Sequence, residues 1–182
     1  MRKEYTATAF LMLLVAAIAW VWLSPGGLDT APDITFRTID NRTIDLQSLR
    51  GQPVLVTFWA TTCSGCMQEM PHLISLYNDY EDKGLEIIGV AMPYDIPSHV
   101  VQLASERNVP YPIALDIDSS ITSAFGDVML TPTSFLIAPD GTIIKHKIGE
   151  MDMKKLREQI SNLLSRQSKV TNNKSKEANR NI

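Results

Sequence analysis

The sequence predicts an α/β fold, a three-layer sandwich whose mixed central sheet is flanked by helices and preceded by an N-terminal β-hairpin. Three observations predict it. Two nearly continuous apolar runs, at 53–60 (PVLVTFWA) and 85–92 (LEIIGVAM), have the composition of strands buried on both faces. A segment of helical period follows the first run, at 63–80, with Met67, Met70, Leu73, Ile74, Tyr77 and Tyr80 on one stripe. Late in the chain two β-rich segments, 134–138 and 142–148, flank Pro139-Asp140-Gly141, a turn that makes them antiparallel.

The remaining elements fill in around these. Segments 34–39 and 42–46 alternate in polarity about Asp40-Asn41 and read as the opening hairpin. Pro97 suits the first turn of a helix over 97–108. Residues 111–116 form a short extended segment, and 119–125 a short helix. Asp152 can cap a last helix with Leu156, Ile160, Leu163 and Leu164 on one face. The order is a hairpin, then βαβαβ, then ββα.

The globular part is assigned to 34–165. Residues 24–33 (SPGGLDTAPD) read as a Gly/Pro-rich linker, and 166–182 as a disordered polar tail. Before the linker, residues 6–23 (TATAFLMLLVAAIAWVWL) carry no charge and are long enough to cross a bilayer as a helix. Arg2 and Lys3 precede this run, so residues 1–5 are expected to stay in the cytoplasm. Trp20 and Trp22 suit the far interface. Ala17-Ile18-Ala19 has the form of a cleavage site, so anchor and cleaved signal both stand. Either one exports the domain to an extracytoplasmic, oxidising compartment, the periplasm in a bacterium.

Composition excludes several classes. The chain has 182 residues, 45% hydrophobic and 20% charged, which is ordinary for a globular protein. Its net charge of −3 offers no basic face for nucleic acid. Two cysteines can neither staple a mini-domain nor form an all-cysteine zinc site. His72, His99 and His146 have no partner at metal-ligand spacing, and no cofactor or metal is implied. Met67, Met70 and Met92 read as packing residues. Pro71 falls inside the first predicted helix, where it removes one hydrogen bond and predicts a kink.

The two cysteines carry the chemistry. Cys63 and Cys66 lie where a buried strand hands over to a helix. Unpaired N–H groups and the helix dipole stabilise a thiolate there, so Cys63 is the candidate nucleophile. Cys66, one turn on, points to the same side and can resolve a mixed disulfide.

The stretch FWATTCSGCMQEMP (58–71), LQSLRG at 46–51 and Thr131-Pro132-Thr133 together resemble the thioredoxin-like proteins, over roughly residues 32–165. The nearest group is the membrane-anchored, extracytoplasmic TlpA/ResA-type thiol-disulfide oxidoreductases. The resemblance implies an enzyme that reduces disulfides of client proteins by dithiol exchange, in settings such as cytochrome c or respiratory-complex assembly. It implies a membrane-embedded thiol donor as partner. It implies a cis Pro132 that faces the cysteines and, with Thr131 and Trp59, meets substrate. Trp59 also reads as packing against the active-site helix. Glu69 matches a glutamate of the anchored proteins that stands three residues after the second cysteine. Close to the pair, it would raise thiol pKa or relay a proton; at an exposed first turn, it would only complement the dipole. Thr57 stands where cytoplasmic thioredoxin has a buried Asp and cannot titrate, and Ser64-Gly65 lacks the common proline. A redoxin-type peroxidase is the first alternative, but Ala60 stands where its threonine would be. A copper metallochaperone is the second, though the cysteine spacing is one residue short for it.

Overall fold

The structure is a computed structural model that describes residues 12–13 and 29–178, with side chains as far as residue 167. The first of the two apolar runs is β3 (Val54–Trp59), buried along its whole length. It pairs in parallel with β4 (Glu86–Ala91), which pairs in parallel with β5 (Ile113–Leu115). On its other side β3 pairs antiparallel with β6 (Thr133–Ile137), which pairs antiparallel with β7 (Ile143–Ile148). The five-stranded order is therefore β5-β4-β3-β6-β7, a mixed sheet.

Two parallel crossovers in the same direction place their helices on one face, because such connections are right-handed. These helices are α1 (Ser64–Tyr80) and α2 (Pro97–Glu106). The core on that face joins Leu55 and Trp59 of β3 to Cys66, Met70, Leu73 and Leu76 of α1 and to Leu156 and Ile160 of the last helix. The opposite face gathers Val54, Val56 and Phe58 with Phe36, Leu46, Ile121, Phe125 and Phe135. There Phe58 meets Phe125 and Phe135 edge-on, at 5.4 and 6.0 Å between ring centres. The alternation of β3 side chains thus feeds two cores at once, as its unbroken apolar composition foretells.

The opening hairpin is β1 (Thr35–Arg37) against β2 (Thr43–Asp45), a separate two-stranded sheet followed by a 3₁₀ turn at Leu46–Leu49. It docks on the β5 edge, where the Ile39 N–H donates to the Ile113 carbonyl at 2.8 Å. A short helix, α3 (Ser120–Ala124), is held by the buried Asp116 carboxylate, which accepts from the N–H groups of Ile121 and Thr122 at 2.9 and 2.8 Å. The last helix is α4 (Met153–Ala178). Asp152 caps it, accepting from the Lys155 N–H at 3.1 Å.

Two boundaries differ from the sequence reading. Residues 29–31, assigned to the linker, belong to the fold. Ala31 donates to the Gly141 carbonyl, Ile143 donates to the Asp29 carbonyl, and Ala31 is buried. Open backbone groups at the start of β7 recruit them. The tail assigned as disordered from 166 is helical as far as Ala178. Nothing after Leu164 stops the helix: residues 165–178 contain neither Gly nor Pro, and three of them are Lys, a good helix former. The predicted membrane segment 6–23 lies, except for 12–13, outside the described residues. Among the described residues no helix is long and apolar enough to cross a membrane.

Candidate active site

Strand β3 ends at Trp59, and four residues later the chain enters α1 through Cys63, which takes extended backbone angles (φ −86°, ψ 107°) as the N-cap. Its Sγ accepts the Cys66 N–H at 3.1 Å, satisfying one donor of the first helical turn. The turn is anchored from the side by Asp95, in the loop after β4. Its carboxylate accepts the backbone N–H and the hydroxyl of Thr61, both at 2.6 Å. The sequence reading missed Asp95, because 34 residues separate it from Thr61.

Cys63 and Cys66 are joined in a disulfide, with Cα atoms 5.3 Å apart. Their environments differ. Cys63 is half-buried and open to solvent on one side; Cys66 is 3% exposed and packs into the core under α1. An incoming sulfur therefore reaches Cys63 first.

The Thr131–Pro132 peptide bond is cis. A Cβ added at Gly65 would stand 3.5 Å from Pro132 Cδ, so the proline faces the residue between the cysteines. The loop is closed by the Thr133 hydroxyl, which donates to the Leu130 carbonyl at 2.7 Å, and the Gly149 N–H donates to the Pro132 carbonyl at 2.8 Å. Thr131 is half-buried beside it. Met129 and Leu130, just upstream, and Ile148, at the end of β7, are exposed apolar side chains around this loop.

Glu69 is not an exposed first-turn residue. It is 3% exposed, one turn beyond Cys66 on the buried face of α1, and its Oε1 accepts the Met151 N–H at 2.7 Å. Burial pushes its carboxyl above the ordinary value; the Met151 hydrogen bond opposes this, Glu150 adds to it, and His72 subtracts. Glu69 thus lies one turn along α1 from Cys66, with a carboxyl that holds its proton more tightly than an exposed one.

Trp59 takes the packing role expected of it and not the secondary one of meeting substrate. It is 4% exposed, packed in the core with Cys66, Met70 and Tyr111, so it supports the helix from below and does not present a surface to substrate. The strand register decides this, since Leu55, Thr57 and Trp59 share the face covered by α1. Thr57 is buried on that face and accepts a hydrogen bond from the Ser134 hydroxyl at 3.0 Å, a neutral pair in place of an ionisable group. His146 stacks on Phe135, with ring centres 4.3 Å apart. Among the described residues no group of three His, Cys, Asp or Glu side chains is placed to hold a metal ion.

A dithiol-disulfide pair capping a helix, faced by a cis-proline on a mixed sheet, defines a thioredoxin-like thiol-disulfide oxidoreductase. The chain belongs to the redoxin family, whose model matches residues 28–164. Within it, the chain is similar to the thiol-disulfide oxidoreductase ResA of Bacillus thuringiensis, 35% identical over 127 residues that cover 69% of this chain and 72% of that protein. It is also 37% identical over 132 residues to protein DipZ of Mycobacterium bovis, covering 68% of this chain but only 19% of DipZ. Among solved structures, the thioredoxin domain of a thiol-disulfide oxidoreductase from Bacteroides vulgatus superposes with a TM-score of 0.64 at 26% identity, over 75% of this chain and 98% of that one.

Proposed function

We propose that this protein reduces disulfide bonds of client proteins on the outer side of the cytoplasmic membrane. The observation that carries the reading is the asymmetry of the pair: Cys63 half-buried at the helix cap, Cys66 buried behind it. In the reduced enzyme the Cys63 thiolate attacks one sulfur of a client disulfide. A mixed disulfide forms and the other client sulfur leaves as a thiolate. Cys66, deprotonated, then attacks Cys63; the Cys63–Cys66 disulfide forms and the second client thiolate leaves. Two electrons pass from the enzyme to the client, whose two thiolates take one proton from solvent and one, by way of Glu69, from Cys66. Glu69 accepts the proton of Cys66 in the second attack. The oxidised pair is returned to the dithiol by a membrane-embedded thiol donor.

The exposed Met129, Leu130 and Ile148 around Pro132 favour a polypeptide client over a small oxidant such as peroxide, because they offer apolar area beside the sulfur. Pro132 and the Thr131 backbone would align an extended client segment. The uncharged run at 6–23 supports an exported, membrane-tethered domain. The similarity to ResA supports clients of the kind met in cytochrome c or respiratory-complex assembly.

The test is insulin reduction by the reduced protein, followed by turbidity. Wild type is expected to be active and Cys63→Ser inactive; equal rates would end the reading. A Cys66→Ser variant is expected to retain clients as mixed disulfides on Cys63, released by dithiothreitol.

A further inference from the structure

We infer that Glu150 is a specificity residue of the redox site, a carboxylate at its rim that selects disulfides flanked by positive charge and rejects those flanked by negative charge. The inference rests on the thiol-exchange reading above and deepens it.

Three observations place Glu150 there. A Cβ added to Gly65, between the two cysteines, would stand 3.2 Å from Glu150 Oε1 and 3.5 Å from Pro132 Cδ. The carboxylate thus borders the space that a side chain at 65 would enter, on the side of the cis-proline. Backbone hydrogen bonds hold Glu150 in place on both flanks: Gly149 donates to the Pro132 carbonyl and Met151 donates to Glu69. Gly149 adopts a left-handed φ of +88°, which turns the chain there from β7 toward the cysteines. Glu150 is itself exposed. It is held at the rim yet available to a passing molecule.

Among the charged groups around the turn, Lys155 is paired with Asp152 at 3.4 Å, and neither Lys145 and Lys147 of β7 nor Lys154 of α4 forms an ion pair with Glu150. Glu69 is buried and acidic, Asp95 is engaged by Thr61, and His72 lies a turn and a half beyond Cys66 on α1. A client segment lying along Pro132 toward Cys63 passes the Glu150 carboxylate at close range. Two unit charges about 6 Å apart in water change a rate by about threefold, so attraction of a cation and repulsion of an anion together separate the two by about tenfold. Gly65, having no side chain, leaves room for the carboxylate.

The test uses the full-length reduced chain and two small disulfides. Cystamine carries two ammonium groups and 3,3′-dithiodipropionate two carboxylates. Each second-order rate is divided by the rate of dithiothreitol with the same disulfide, which removes intrinsic reactivity. Wild type is expected to prefer cystamine. Glu150→Gln is expected to cut the normalised preference about tenfold, Glu150→Lys to invert it, and 0.5 M salt to shrink it in wild type. Gly65→Ala, which keeps the charge but crowds the carboxylate, is expected to reduce the preference in part. A preference that stays within twofold across wild type, Glu150→Gln and Glu150→Lys overturns the inference while leaving the oxidoreductase intact. Rates equal in wild type and Cys63→Ser overturn the oxidoreductase reading, and this inference with it.

Discussion

Reducing the Cys63–Cys66 disulfide perturbs stability by an amount whose sign reports the direction of the enzyme. The bridge closes a very short loop, with a sequence separation of 3. In the chain-entropy treatment such a loop restricts the unfolded chain enough to stabilise the oxidised form by about 1.5–2 kcal/mol at 25 °C. The reduced form recovers part of this. Its Cys63 thiolate would sit at the cap of α1, where a negative charge gains about 0.3–1 kcal/mol from the helix end. Glu150, whose carboxylate lies beside Gly65, works against that thiolate, since a neighbouring carboxylate disfavours another negative charge. The oxidised protein is therefore expected to be more stable by about 1 kcal/mol. By linkage, the folded disulfide is then harder to reduce than the unfolded one by roughly 20 mV, since about 30 mV corresponds to 1.4 kcal/mol for two electrons. That is the sense of a reductase. The assay is urea unfolding of the oxidised protein and of the protein held reduced by a phosphine, compared at equal m-value. The thermal midpoint should fall by about 3–5 °C on reduction. A reduced form as stable as the oxidised one, or more so, refutes the reasoning. Thiolate stabilisation would then dominate, as in a disulfide oxidant.

Two further outcomes test the packing around the site. Glu69 has a carboxyl whose folded pKa is raised above its ordinary value of 4.5 by burial, so the stability it allows is full below that value and is lost as pH rises through the raised one. Glu69→Gln keeps the acceptor for Met151 but cannot ionise. Its unfolding midpoint relative to wild type should climb from pH 4.5 upward, and a relative midpoint that falls with pH would exclude a buried, proton-holding Glu69. Gly89→Ala would put a methyl 3.2 Å from Trp59 Nε1 and 3.3 Å from Tyr111 Cε2, two buried rings with little room to yield. The expected loss is about 1–3 kcal/mol by thermal unfolding, and an unchanged midpoint would mean that the rings shift freely.

Much of this protein is local in origin. The unbroken apolar run of β3, the helical stripe of α1 and the Pro139-Asp140-Gly141 turn are each set by a few neighbouring residues, so backbone preference and side-chain period suffice to find them. The placing of Cys63 at a helix cap is of the same kind, because a strand followed by an amphipathic stretch leaves only one place for the junction. The cis form of Pro132 was legible only through its resemblance to related chains, not from the residues themselves.

What chain order alone determined, then, is the list of elements and the position of the two sulfurs. The tertiary structure decided which way side chains face and what they meet. Glu69 sits three residues after Cys66 in any reading, but it is buried because Met151, 82 residues away, arrives to cover it and donate to it. Trp59 turned into the core because the register of β3 gives that face to α1. Asp95 and Glu150 entered the site from loops distant in sequence. Short-range periodicity carries information over a few residues, whereas burial and electrostatic neighbours depend on contacts between segments far apart in the chain, and only folding brings those together.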